Sequence, residues 1–209
     1  MRDGALGRAI CACDICYRQG LLPPGPEYRP RNRELFERFL PAKVRLLFLA
    51  ESPPISGAYF YRVPEWSRRG VPSALFWEMA RALGLAPDGP RDYERKEEYL
   101  RAFAARGLAI VDAARCPVNQ VTDSVANRVI ENCGTFLRRE IEEREPPFLV
   151  LVKSTNRPLV RRLEAWGLAE RLLDREPLHF PVAGNQGRFR EDIERMRRQH
   201  PEAAPLLGA

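Results

Sequence analysis

The stretch VRLLFLA (44–50), which runs directly into ESPP (51–54), decides how this chain is read. Six of its seven residues are apolar and nothing alternates, as expected of a strand covered on both faces in a parallel sheet. Pro53 and Pro54 then end it, because proline has no N–H to give a ladder. Three later segments share the character and are bounded by turn or helix signals: LAIVDAA (108–114), PFLVLV (147–152) and PLHF (177–180). Helical patterns fill the gaps. The first, 73–83, carries Leu75, Phe76, Met79, Ala80 and Leu83 on one face and stops at Gly84. Others cover 91–106, 123–143, 157–166 and 188–198. Strands alternating with helices predict an α/β fold, a three-layer αβα sandwich around a parallel four-stranded sheet. Right-handed crossovers put all strand C-termini on one edge, where such sheets hold ligands. The loops after Ala50, Ala114, Val152 and Phe180 are therefore the places to search.

The chain of 209 residues is 44% hydrophobic and 30% charged, values that suit one globular domain across 1–209, with an N-terminal arm over 1–40 and a frayed tail over 200–209. No apolar run approaches the roughly 20 residues of a membrane span. The N-terminus has neither the apolar core nor the cleavage site of a secretion signal, so a cytoplasmic protein is expected. The net charge is +6, and of 34 cationic side chains only Lys43, Lys96 and Lys153 are lysine. Arginine forks onto phosphate, yet the same bias follows from nucleotide composition or heat adaptation, so basicity alone does not establish a nucleic-acid partner. The proline-rich 21–33 segment is expected to wrap the surface.

Cys13 and Cys16 form a C-x2-C pair, Cys116 follows the second strand, and Cys133 lies 17 positions further on. Without an export signal, structural disulfides are not expected. Two thiolates close in sequence and two brought in by the fold are how a four-cysteine iron–sulfur or zinc site is assembled. Plain burial of cysteine in the core is the alternative.

Further residues extend the pattern. CDIC (13–16), LFLAESPP (47–54), SGAYFY (56–61), VDAARCPVN (111–119), Cys133 and HFPVAGN (179–185) follow one another in an order and at separations that resemble the family 4 uracil-DNA glycosylases. The similarity runs from about residue 11 to 195. It implies a DNA-repair enzyme with a [4Fe-4S] cluster of structural role on Cys13, Cys16, Cys116 and Cys133, leaving Cys11 spare. It also implies that Phe60 stacks on a flipped base, that Asp112 reads the base edge, and that Glu51 orients the attacking water. The loop from His179 would push into the duplex and supply a donor to the base oxygen. DNA is the implied partner, and a monomer the implied state.

The chain departs from that family at three points. Ala50-Glu51-Ser52-Pro53-Pro54 lacks both glycines of the first motif. Asp112 stands where the family has asparagine, and an ionised aspartate only accepts hydrogen bonds, so uracil suits it only if the carboxyl is protonated. Phe180 is inserted between His179 and Pro181, which leaves both a pocket and a core position open for the imidazole. Asn119, and Asn185 in the Gly184–Gly187 turn, are further candidate donors to base or phosphate. Ser154 or Thr155 is expected to cap the following helix. Tyr59, Phe60 and Tyr61 form either a stacking platform or a lid on the sheet end. The expected activity is a monofunctional DNA glycosylase using water, with no lysine placed for a lyase step. A non-catalytic nucleic-acid-binding member of the same fold, or an unrelated iron–sulfur or zinc protein, are the other readings.

Overall fold

The structure, a computed structural model, describes residues 6, 8–9, 12–23, 29–56, 58–63, 73–182 and 184–208. Cys11, Gly57, Ala183 and the middle of the proline-rich segment lie outside the described residues.

The three longest apolar runs form the sheet. β1 (Leu46–Ala50) is central, pairing in parallel with β2 (Leu108–Asp112) on one side and β3 (Phe148–Leu151) on the other. Register runs from Leu46↔Leu108 to Ala50↔Asp112, and from Leu46↔Phe148 to Leu49↔Leu151. Every β1 residue is buried, as its lack of alternation requires. The architecture is thus α/β with a three-stranded parallel sheet, in place of the expected four strands.

The fourth segment contributes a single bridge, Val152↔Leu178, with Leu178 N–H donating to Leu151 O at 2.8 Å and Lys153 N–H donating to Leu178 O at 2.9 Å. Pairing stops there because its neighbours have no N–H free to extend the ladder. Pro177 and Pro181 flank it without N–H groups, and the next donor, His179 N–H, is taken by the Asp192 carboxylate at 2.8 Å.

The helices follow the predicted pattern with informative differences. α1 (Ile15–Arg18) and α2 (Arg29–Arg38) belong to the N-terminal arm, and Leu35, Phe36 and Phe39 anchor it in the core. α3 (Ala74–Ala82) begins at Ser73, whose Oγ accepts from Phe76 N–H at 3.2 Å, and ends before Gly84 at φ +64°. α4 spans Lys96–Ala105, shorter than the periodicity suggested, with Asp92 Oδ1 holding the turn before it. The long 123–143 pattern is two helices, α5 (Asp123–Asn132) and α6 (Gly134–Arg144), which share Cys133 as their junction. α7 (Leu159–Ala165) follows a 3-10 turn at Ser154–Asn156, and no side chain caps it, contrary to the expected role of Ser154 or Thr155. α8 (Gln186–Gln199) packs on α3.

Residues 200–208 are ordered by packing, not frayed. α9 (Ala204–Leu207) buries Leu206 and Leu207, and Arg197 donates to Leu207 O at 2.7 Å. One apolar core links the arm, sheet and tail. Within it Tyr61 Oη accepts from Ile110 N–H at 2.8 Å and donates to Ile110 O at 3.3 Å, covering the free edge of β2. Another buried device joins the arm to the body: Glu140 on α6 receives Arg33 of α2, Arg115 and Arg144, which hold its carboxyl below the usual range against the effect of burial. No helix among the described residues is long and apolar enough to cross a membrane.

Candidate functional site at the strand C-termini

A cavity of about 240 Å³ opens at the C-terminal edge of the sheet, lined among others by Glu51, Phe60, Asp112, Asn119, Lys153 and Phe180. At roughly 10–15 Å³ per water position this is ample for a heterocycle of nucleobase size. The strand ends deliver its polar groups. Beyond the ladder, Ala113 N–H donates to Ala50 O at 2.7 Å and Ala114 N–H to Glu51 O at 2.8 Å, so the backbone bearing Glu51 and Asp112 is fixed.

Glu51 is buried, and its Oε2 is in close contact with Lys153 Nζ. That amine also lies 6.0 Å from the centroid of the Phe180 ring. Lys153 has φ 75° and ψ 134°, a left-handed conformation that costs a non-glycine residue of order 1–3 kcal/mol. The surroundings impose it. Lys153 N–H is bound to Leu178 O, and the fully buried Asn156 donates to Val152 O at 2.7 Å and Leu49 O at 3.0 Å, tying the ends of β1 and β3 across the turn.

Asp112 also lines the cavity. Burial lifts its carboxyl to about 7; Arg115 opposes the rise, while Glu140 and Glu51 add to it. Among the described residues nothing hydrogen-bonds to this carboxyl, which is partly exposed at the cavity. Tyr59 and Asp112 also line a second, smaller void of about 40 Å³ bordered by Arg33, Arg115 and Glu140.

The aromatic loop is partly lid and partly wall. Phe60 is buried edge-on against Tyr61 and Phe76, with centroids 5.0 and 5.3 Å away, and presents only part of its ring to the cavity. Tyr61 belongs wholly to the core, whereas Tyr59 remains half-exposed at the cavity. Asn119 Oδ1 accepts from Ile55 N–H at 3.2 Å, and Ser52 Oγ accepts from Val118 N–H at 3.3 Å, joining the two loops that roof the site.

His179 and Asn185 are not among the cavity residues. The His179 ring is half-exposed, its Nδ1 2.8 Å from Asp192 Oδ2. Asp192 is held below the ordinary carboxylate range: burial works against this, but hydrogen bonds from the His179 backbone and ring and from Arg195 outweigh it. Asn185 precedes α8 without capping it, and its N–H donates to Val182 O at 3.1 Å.

Lys153, which follows the third strand together with Ser154, Thr155 and Asn156, lines the cavity in contact with Glu51, so a lysine stands in the site although none suited to a lyase step was expected there. A lysine directly after a buried strand, in a chain with only three, was the available signal.

The cysteines gather away from the cavity. Cys16, Cys116 and Cys133 are all buried, and Cys13 is half-buried. Arg115 N–H donates to Cys133 Sγ at 3.3 Å, and Asn132 Nδ2 to Cys16 Sγ at 3.5 Å. Burial pushes the Cys133 thiol up to about 12, with Arg115 opposing and the neighbouring Cys116 and Cys16 adding to the rise. Soft donors from three elements with N–H groups on two sulfurs have the chemistry of a thiolate-held centre. Among the described residues no three His, Cys, Asp or Glu side chains stand in a metal-holding arrangement.

No protein-family model matches the chain, and neither a curated protein nor a solved structure matches it significantly.

Proposed function

We propose that this protein is a DNA glycosylase, built on a uracil-DNA-glycosylase-like αβα plan, that hydrolyses the N-glycosidic bond of a flipped base in a cytoplasmic repair role. The observation that carries the reading is Asp112, a carboxyl lifted to about 7 that faces a cavity of base size without a hydrogen-bonding partner among the described residues. A neutral carboxylic acid offers one donor and one acceptor side by side. It thereby reproduces the amide pattern that suits a uracil edge, which an ionised aspartate cannot do.

The remaining residues take their parts around that group. Extruding a base costs about a few kcal/mol, recovered by contact with Tyr59 and the exposed part of Phe60 and by the edge hydrogen bonds. Glu51, fixed by Lys153, directs water at the anomeric carbon as the base leaves and charge develops on the sugar. The arginine-rich surface supplies phosphate attraction. A [4Fe-4S] cluster held by Cys13, Cys16, Cys116 and Cys133 would serve as a structural tie between arm and body, with zinc the alternative.

An abasic-site assay on oligonucleotides bearing uracil, hypoxanthine, xanthine or modified cytosines tests the proposal. Release of at least one base, slowed in Glu51→Gln with DNA affinity retained, is expected. Release of none, with salt-sensitive DNA binding intact, would identify a non-catalytic binder. A colourless protein containing one zinc and no DNA affinity would point to an unrelated metalloprotein.

A further inference from the structure

We propose that Lys153 gives this cleft a second activity, cleavage of a DNA strand at an abasic site through an imine on Nζ. The inference rests on the cleft accepting a nucleotide, as proposed above, but not on its releasing a base.

Three independent features single out this lysine. The first is composition: 31 of 34 cationic side chains are arginine, whose guanidinium stays protonated and forms no imine with an aldehyde. Of the three lysines, Lys43 is exposed, Lys96 is buried over the Phe76 ring outside the cavity, and Lys153 lines it. The second is backbone: a lysine occupies a left-handed position that glycine would fill without strain, and Asn156 and Leu178 hold it there. Backbone strain of this kind is concentrated at active sites and ligand clamps. The third is the partner: the Glu51 carboxylate in contact with the amine can pass protons to and from it during the reaction, and the Phe180 ring flanks it.

The ring-opened abasic sugar presents an aldehyde at C1′. The Lys153 ammonium gives a proton to Glu51, and the nitrogen lone pair attacks C1′ as the C=O π pair moves to oxygen. A proton passes from nitrogen to that oxygen, giving a carbinolamine. Protonated Glu51 then returns its proton as the hydroxyl leaves as water, which gives an iminium. Glu51 next removes a C2′ proton. The released electron pair forms an enamine and then a C2′=C3′ bond as the C3′–O bond breaks and the 3′ phosphate departs. Hydrolysis of the imine regenerates the amine, consuming the water released earlier. No redox partner is involved.

The test incubates the full-length protein with DNA carrying a preformed abasic site and traps the imine with borohydride. A covalent protein–DNA adduct that maps to Lys153, with strand scission in unreduced samples, is expected. Lys153→Arg keeps the charge and should abolish the adduct while its thermal unfolding shows a folded protein; Lys43→Arg should retain it. No adduct with the wild-type protein, or an adduct unchanged in Lys153→Arg or mapped to another amine, would overturn the proposal. The preformed site separates the two readings: adduct without base release refutes only the glycosylase, and base release without adduct refutes only the lyase.

Discussion

Replacing Asp112 with asparagine exchanges a titrating reader for a permanent amide of nearly the same shape, and its effect on stability has a definite sign. The carboxyl rises from an ordinary 3.8 to about 7 in the folded chain, so between those values the native state binds a proton that the unfolded chain has lost. The cost of ionised, buried Asp112 is therefore absent below about pH 4, grows towards pH 7 and is complete above it. A rise of that size corresponds to about 4 kcal/mol at most. Asp112 is partly exposed to the cavity, where water recovers some of it, so a gain of about 2 kcal/mol for Asp112→Asn near pH 8 is expected. Denaturant unfolding of both proteins near pH 8 and near pH 4 checks this: the difference should be large at the first and close to zero at the second. Equal differences at both values, or a loss of stability near pH 8, would refute the reasoning that the carboxyl is held neutral by burial.

Other consequences concern the frame. Glu140→Gln leaves three guanidinium groups around an uncharged amide and should cost roughly 3–5 kcal/mol in denaturant unfolding. Because Glu140 is held below its ordinary value, the wild type should lose this contribution only in strong acid. Lys96, whose amine burial lowers to about 7 with Arg62 adding, is uncharged between about pH 7 and its ordinary value of 10.5 only in the folded state. Wild-type stability should thus rise between about pH 7 and 10, and Lys96→Met should raise the melting temperature and remove that slope. Tyr61→Phe strands the buried Ile110 N–H and should cost about 1–3 kcal/mol, read by the same unfolding assay, with faster amide exchange along β2.

The parts of the fold legible in the sequence are those whose cause is local. β1, β2 and β3 announce themselves as uninterrupted apolar runs, and α3 shows its Ser73 cap and Gly84 stop. The fourth strand looked equally apolar, but its pairing is decided by Asp192, thirteen residues away, which captures the donor at His179. The helix predicted over 123–143 has an unbroken amphipathic pattern; it divides at Cys133, which turns its sulfur towards the Arg115 N–H, a contact no helical period encodes. In the site, Glu51, Phe60, Asp112 and Asn119 are predictable together because each lies at or just beyond a strand end or in a loop at that edge. The pairing of Lys153 with Glu51 was not legible, since its backbone angle and its reach to that carboxylate arise only once Leu178 and Asn156 close the turn. The displacement of His179 likewise depends on α8, whose Asp192 holds the ring outside the cavity.

The central claim is that the cavity releases a base read by the neutral carboxyl of Asp112. Its most direct measurement is the rate of uracil release from a defined oligonucleotide as pH is raised through about 7, for wild type and for Asp112→Asn. The account predicts wild-type excision that falls as Asp112 ionises, and an asparagine variant that excises uracil with that fall removed. No release by either protein, or a fall that persists unchanged in Asp112→Asn, would contradict it.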